Sequence, residues 1–211
     1  MRKCVVFVLL LSASLPAADL AGLELPRPRT TGGMPLMQAL AARQSGRAFS
    51  PEKLSPQMLS NLLWAAYGIN RPDGRRTAPS ANNRQSVDVY AVLPDGAYLY
   101  NAKENRLEPV AQGDLRAAAG TQAFVAEAPV NLVYVSDYSK FASAPESEKA
   151  LYAGAEAGFI GQNVYLFCAS EGLAAVVRAS IDRQALAKAL KIRPDQKILL
   201  AQTVGYPKRA Q

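Results

Sequence analysis

The feature that most limits how this chain can fold is the stretch from about Glu146 to Glu171, which reads as one long helix closed by Gly172. Glycine accepts the positive φ of a helix C-terminal cap, so Gly172 is a natural stop. Gly154, Ala157, Gly158 and Gly161 share one face of this helix, where small residues let another backbone or a flat ligand come close. Each glycine there costs up to ~1 kcal/mol of helix propensity. Tight packing within one core and a contact between subunits both account for such a face.

The rest of the chain alternates helical and extended patterns. Leu25–Pro35 is proline-rich, and Met37–Ala42 is a short helix-compatible stretch leading into Arg43-Gln44-Ser45-Gly46-Arg47-Ala48-Phe49. Ser55 is an N-cap with Pro56 at the first helical position, and Met58, Leu59, Leu62, Leu63 and Ala66 recur at helical spacing until Gly68. Residues 69–80 lack apolar periodicity and read as a loop. Alternating apolar residues over Val87–Leu93 and Ala97–Tyr100, joined by Pro94-Asp95-Gly96, predict a hairpin. Val130–Val135 is a near-continuous apolar run, the pattern of a central strand covered on both faces. Ala174–Ile181 reads as a strand, Asp182 as the cap of a helix reaching Leu190, and Lys197–Val204 as the last strand. Helices and strands in mixed order, with a hairpin, favour an α+β domain.

The N-terminal residues read differently. Arg2 and Lys3 precede an apolar run from Val5 to Leu15, too short to span a bilayer comfortably, and Ala13–Ala18 offers small residues for cleavage. The expected layout is a signal peptide over 1–18, an N-terminal extension over 19–36 and one domain over 37–211, with a periplasmic or secreted product. An uncleaved anchor is the alternative reading of the same residues. Cys4 precedes the apolar run and is misplaced for a lipoprotein site. After cleavage Cys168 is the sole cysteine, which leaves no internal disulfide.

The formal charge of +7 is spread through the chain and interrupted by acids, with no basic run interleaved with aromatics. Nucleic-acid binding is therefore not expected, nor membrane association once the signal is removed. The sequence contains no histidine, which removes His-based triads, general bases and most zinc sites.

Four clusters could carry chemistry. Arg43, Ser45 and Arg47 set two guanidinium forks and a hydroxyl at a helix exit, a set suited to phosphate oxygens, although two loop arginines also occur as plain solvated charges. Pro79-Ser80-Ala81-Asn82-Asn83-Arg84-Gln85 crowds hydrogen-bonding side chains ahead of a strand, beyond what an Asx turn requires. Glu171-Gly172-Leu173 ends the long helix, and Gly205-Tyr206-Pro207-Lys208-Arg209 follows the last strand.

Taken in order, these segments resemble the nitroreductase superfamily over about Met37–Arg209. Its Arg-x-Ser-x-Arg/Lys-x-Phe signature is matched by Arg43, Ser45, Arg47 and Phe49, and its Pro-Ser-x-x-Asn-x-Gln segment by Pro79, Ser80, Asn83 and Gln85. A glutamine-asparagine pair and a Gly-Leu step on the long helix are matched by Gln162-Asn163 and Gly172-Leu173, and the closing Gly-Tyr-Pro by Gly205–Pro207. Ser86 and Val87 stand where that family usually has a proline and an aromatic residue. The chain also resembles the branch that includes peptide azoline dehydrogenases, without a clear Lys-Tyr pair of that branch.

The resemblance implies a nitroreductase-like α+β fold, with a mixed central sheet flanked by helices, in an intertwined homodimer that binds FMN. By carry-over, Arg43, Gln44, Ser45 and Arg47 would hold the phosphate, ribityl chain and pyrimidine edge, and Pro79, Ser80, Asn83 and Gln85 would form the second segment of the site, with Asn83 reaching across from the other protomer. Gly172 and Leu173 would line the ring, and Lys208 or Arg209 would reach the phosphate. Hydride would pass through flavin N5 between NAD(P)H and a nitroaromatic, quinone or similar small molecule, with no side chain needed as acid or base. Nicotinamide nucleotides are cytoplasmic, so an exported enzyme would draw on a different reductant. A non-catalytic flavin-binding module on the same fold is the alternative.

Overall fold

The computed structural model describes residues 20–208. The leader expected over 1–18, and Arg209, lie outside the described residues. Twelve elements follow in order: β1 (Leu23–Glu24), α1 (Leu36–Ala42), α2 (Pro56–Tyr67), β2 (Val87–Val92), β3 (Gly96–Asn101), β4 (Arg106–Gln112), α3 (Phe124–Glu127), β5 (Val130–Asp137), α4 (Glu146–Glu171), β6 (Ala174–Arg178), α5 (Arg183–Ala189) and β7 (Gln196–Gly205). Short 3₁₀ turns occur at Ala81–Asn83, Arg116–Ala119 and Tyr138–Phe141.

The strands form one seven-stranded sheet in the order β1-β4-β3-β2-β5-β7-β6. The class is α+β, and every pairing among the described strands is antiparallel, where a mixture of directions was expected. The reason lies in β7. The β5-α4-β6 crossover leaves two strands pointing the same way, and β7 inserts between them, antiparallel to both.

Alternation along the strands divides the core into two layers. Val87, Val89, Ala91, Leu132 and Tyr134 face α2 and α4, whereas Tyr90, Val92, Val133 and Val135 face α5 and the Arg116–Ala119 turn. All residues of β5 are buried, as its apolar run predicted. Ser55 caps α2 by accepting from the Met58 amide, and Asp182 caps α5 by accepting from Ala185. The strand expected to reach Ile181 stops at Arg178, because Ala179–Ile181 turns into that cap. The segment read as an extension is joined to the domain: Leu23 and Glu24 pair with Leu107 and Arg106, and the Met34 amide donates to Ser170 Oγ at 2.7 Å.

The small-residue stripe of α4 splits in two. Ala157 and Gly161 face the sheet, and a Cβ at Gly161 would lie 3.2 Å from Val177 Cγ2. Gly154 and Gly158 are exposed, with open space beside them.

One turn before Gly161, Glu156 also points inward and is 3% exposed. Its carboxylate accepts hydrogen bonds from Tyr67 Oη, from Ser80 Oγ at 3.0 Å, from Ser86 Oγ at 2.8 Å, and from the amides of Ser86 and Val87. Burial, and then the adjacent carboxylate, push the Tyr67 phenol well above its usual value, so it stays a neutral donor. The bonds tie α2, the loop after it and the start of β2 to the middle of α4.

Two stability measurements follow. Gly161→Val overpacks the helix–sheet contact and is expected to cost about 1–3 kcal/mol in urea unfolding. Glu156→Ala leaves several buried donors without an acceptor and is expected to cost on the order of 3 kcal/mol or more, with Glu156→Gln recovering part because one carbonyl acceptor remains.

Candidate functional site

Arg43 ends α1 in an extended conformation (ψ 122°), which sends the following residues along the sheet's β6 edge. Gly46 donates its amide to Ala175 O at 3.0 Å, Ser50 to Tyr206 O at 2.8 Å, and Lys208 to Ala48 O at 3.0 Å. A Cβ on Gly46 would sit 2.9 Å from that of Ala174, so the close approach requires glycine. Phe49 is buried against Phe124, with ring centroids 5.6 Å apart, and pins the segment. Three stretches distant in sequence thereby meet at one cleft of about 420 Å³. Its lining includes Gln44, Arg47, Tyr165, Gly172, Leu173 and Lys208.

Tyr165 organises this cleft and has no signature in the local sequence. Its hydroxyl accepts from the Val177 amide at 2.8 Å and shares a hydrogen bond with Ser45 Oγ at 2.9 Å. The Arg43 guanidinium lies 5.4 Å from its ring centroid, a cation–π distance. Gly172 takes φ 69° at the end of α4 and turns Leu173 into the core. Among the described residues, Arg43, Arg47 and Lys208 form no ion pair, and no acid lines the cleft. Its charge is therefore uncompensated positive.

The second sequence cluster lies elsewhere in the same chain. Pro79, Ser80, Asn82 and Asn83 line a separate cleft of about 520 Å³ with Arg71, Arg75 and Arg76, and share no lining residue with the first. Ser80 is engaged internally, donating to Glu156 and accepting from the Gln85 amide at 2.8 Å. Gln85 holds Arg76, Gly74 and Asn83 through its side chain. Asn82 and Asn83 are exposed, both at φ 53°. Ser86 answers for the departure from the family pattern: its amide and hydroxyl both bond Glu156, and a proline could supply neither bond.

A third cavity, of about 630 Å³, was not anticipated from the sequence. Residues 29–33 cross it, and Trp64, Asn163, Phe167 and Glu171 line it. The last turn of α4 separates it from the first cleft, with Ala169 and Gly172 on one side and Ser170 and Glu171 on the other.

Known proteins share this architecture. A crystal structure of a candidate nitroreductase from Ralstonia eutropha superposes with a TM-score of 0.87 at 39% identity, covering 92% of this chain and 93% of that one. A candidate nitroreductase of Methanocaldococcus jannaschii is 29% identical over 168 residues, 75% of this chain and 85% of the relative. The NADPH:FMN oxidoreductase of Vibrio harveyi, solved with NAD+, shares the fold at a TM-score of 0.62 and 21% identity, covering 82% of this chain and 69% of that one. The Nitroreductase family model matches residues 40–206, and the chain belongs to that family of oxidoreductases.

Proposed function

We propose that this protein is an FMN-dependent oxidoreductase that acts as a homodimer on a small organic substrate, such as a nitroaromatic or a quinone, with NAD(P)H or another reductant as donor. The observation that carries this reading is the cleft beside β6, which Arg47 and Lys208 line without a carboxylate to neutralise them and beside which Arg43 sits against the Tyr165 ring. A phosphate monoester brings close to two negative charges and three acceptor oxygens, which matches that set. Gly46 and Gly172 keep the walls free of side chains, and Leu173 gives an apolar floor. The residues present therefore fit FMN.

Bound FMN would supply hydride transfer at N5, chemistry available without a histidine. The protein's part is to bind and orient. Arg43 and Arg47 would hold the phosphate with Lys208, and Tyr165 would fix Ser45 beside the ribityl chain. Gly172 and Leu173 would flank the ring.

The second cluster supports the dimer. Pro79–Gln85 does not reach the cleft of its own chain, so a second copy is needed to bring Asn83 to it. An apolar surface is available for that copy: Leu36, Met37 and Leu40 of α1 are exposed, as are Leu151, Tyr152 and Phe159 of α4 beside the open Gly154 and Gly158. Export through the leader read over residues 1–18, to the periplasm or the medium, belongs to the same proposal.

Purified protein is expected to be yellow, or to become so with added FMN; colourless protein that cannot be reconstituted would sink the proposal. Arg43→Ala and Arg47→Ala are each expected to weaken FMN binding at least tenfold, since a charge-assisted hydrogen bond is worth about 1.5–3 kcal/mol. Flavin binding without turnover of any quinone or nitroaromatic would reduce the function to a flavin-binding module. Gly158→Glu, whose Cβ would meet nothing within 4 Å in its own chain, is expected to give a folded monomer by sedimentation with weakened FMN binding. A Gly158→Glu protein that stays dimeric, or a monomer with unchanged FMN affinity, would count against the composite site.

A further inference from the structure

We infer that Arg76 and Gln85 are positioning residues that fix which end of the Asn83 amide faces outward, so that the loop offers a hydrogen-bond donor to an acceptor atom of the flavin in a partner's cleft. This rests on the dimeric FMN reading above.

The direction of each bond is forced in sequence. Arg76 Nε donates to Gln85 Oε1 at 2.7 Å, and a guanidinium has donors only, so the carbonyl end of Gln85 must face it. That leaves the NH₂ end of Gln85 to donate to Gly74 O and Asn83 Oδ1, both at 3.0 Å. With Oδ1 of Asn83 engaged from within, its Nδ2 is left for an outside acceptor, on a residue exposed to solvent. Arg76 cannot swing away easily, because its Nη1 donates to Tyr67 O at 2.9 Å and its guanidinium lies 4.4 Å from the centroid of the Tyr67 ring.

The backbone is held as firmly. Asn82, Asn83 and Gln85 all have positive φ, which asparagine tolerates readily but which Gln85 keeps only because its surroundings hold it there. Here Ser80 Oγ accepts from the Gln85 amide, and Lys140 Nζ donates to Gln85 O at 2.8 Å. A donor fixed before binding loses little freedom on binding. The flavin ring carbonyls and the ribityl oxygens are the acceptor class such a donor suits.

Gln85→Glu tests the inference. A carboxylate keeps the bond to Arg76 but has no donor, so Asn83 must turn its Nδ2 inward and present Oδ1 instead. FMN dissociation constants, read from flavin fluorescence, are expected to rise about tenfold in Gln85→Glu, and no further in Gln85→Glu/Asn83→Ala than in Asn83→Ala alone. The Asn83 side-chain amide protons, followed by NMR in the flavin-free protein, should exchange with water more slowly in Gln85→Glu than in wild type. Affinity within twofold of wild type, or single effects that multiply in the double variant, would overturn the inference. Unchanged side-chain exchange would overturn it without reference to flavin, whereas wild-type protein that binds no FMN would overturn the flavin reading and leave the exchange to decide the orientation. Arg76→Met, which frees Gln85 to flip, should reproduce the loss of affinity if Gln85→Glu fails to fold.

Discussion

Placing a carboxylate in the middle of a helix that packs on a sheet is costly unless each lone pair finds a donor. Glu156 meets that condition with three hydroxyls and two amides. The consequence is mutual dependence: α2 supplies Tyr67, the loop supplies Ser80 and Ser86, and β2 supplies Val87, so a shift of any one of them takes a donor from the carboxylate. Asn82 and Asn83 lie between Ser80 and Ser86, the two loop positions that Glu156 holds.

In the proposed dimer the two clefts would be complementary halves. One holds positive charge and small residues beside β6, and the other presents a rigid pair of asparagines on an arginine-rich loop. Each is well defined within a single chain, and each is open. The same proposed dimer would cover the apolar residues left exposed on α1 and α4, Met37 at 75% and Leu151 at 68% exposure among them.

Much of this was legible from local pattern. The extents of α2 and α4, the β2–β3 hairpin and the buried β5 follow from caps, periodicity and a continuous apolar run. Strand β4 was not legible, because Arg106, Leu107 and Glu108 alternate for only three residues before Pro109 interrupts the pattern, and Pro109 sits beside a register shift opposite Ala97 and Tyr98. Strand β1 is two residues long and exists only through its pairing with β4. The strand directions depended on where β7 inserts, which no local pattern encodes. At the site, the arginine and Gly-Leu segments could be found by motif, whereas Tyr165 and Glu156 act through partners distant in sequence. Ser86 was visible only as a mismatch, and its meaning came from the carboxylate opposite it.

Helix α4 buries Ala157, Ile160, Gly161, Val164 and Cys168 against the core, and at Gly161 it meets Val177 without a side chain of its own. About eleven residues separate that contact from Gly172, a lever arm of roughly 16 Å at 1.5 Å per residue. A side chain at 161 that tilted the helix by about 5° there would move the far end by more than 1 Å, a displacement large enough to cost about a hundredfold in rate when it falls on reacting groups. The absence of one methyl group at position 161 thus calibrates the aim of a wall that lies about three helical turns away.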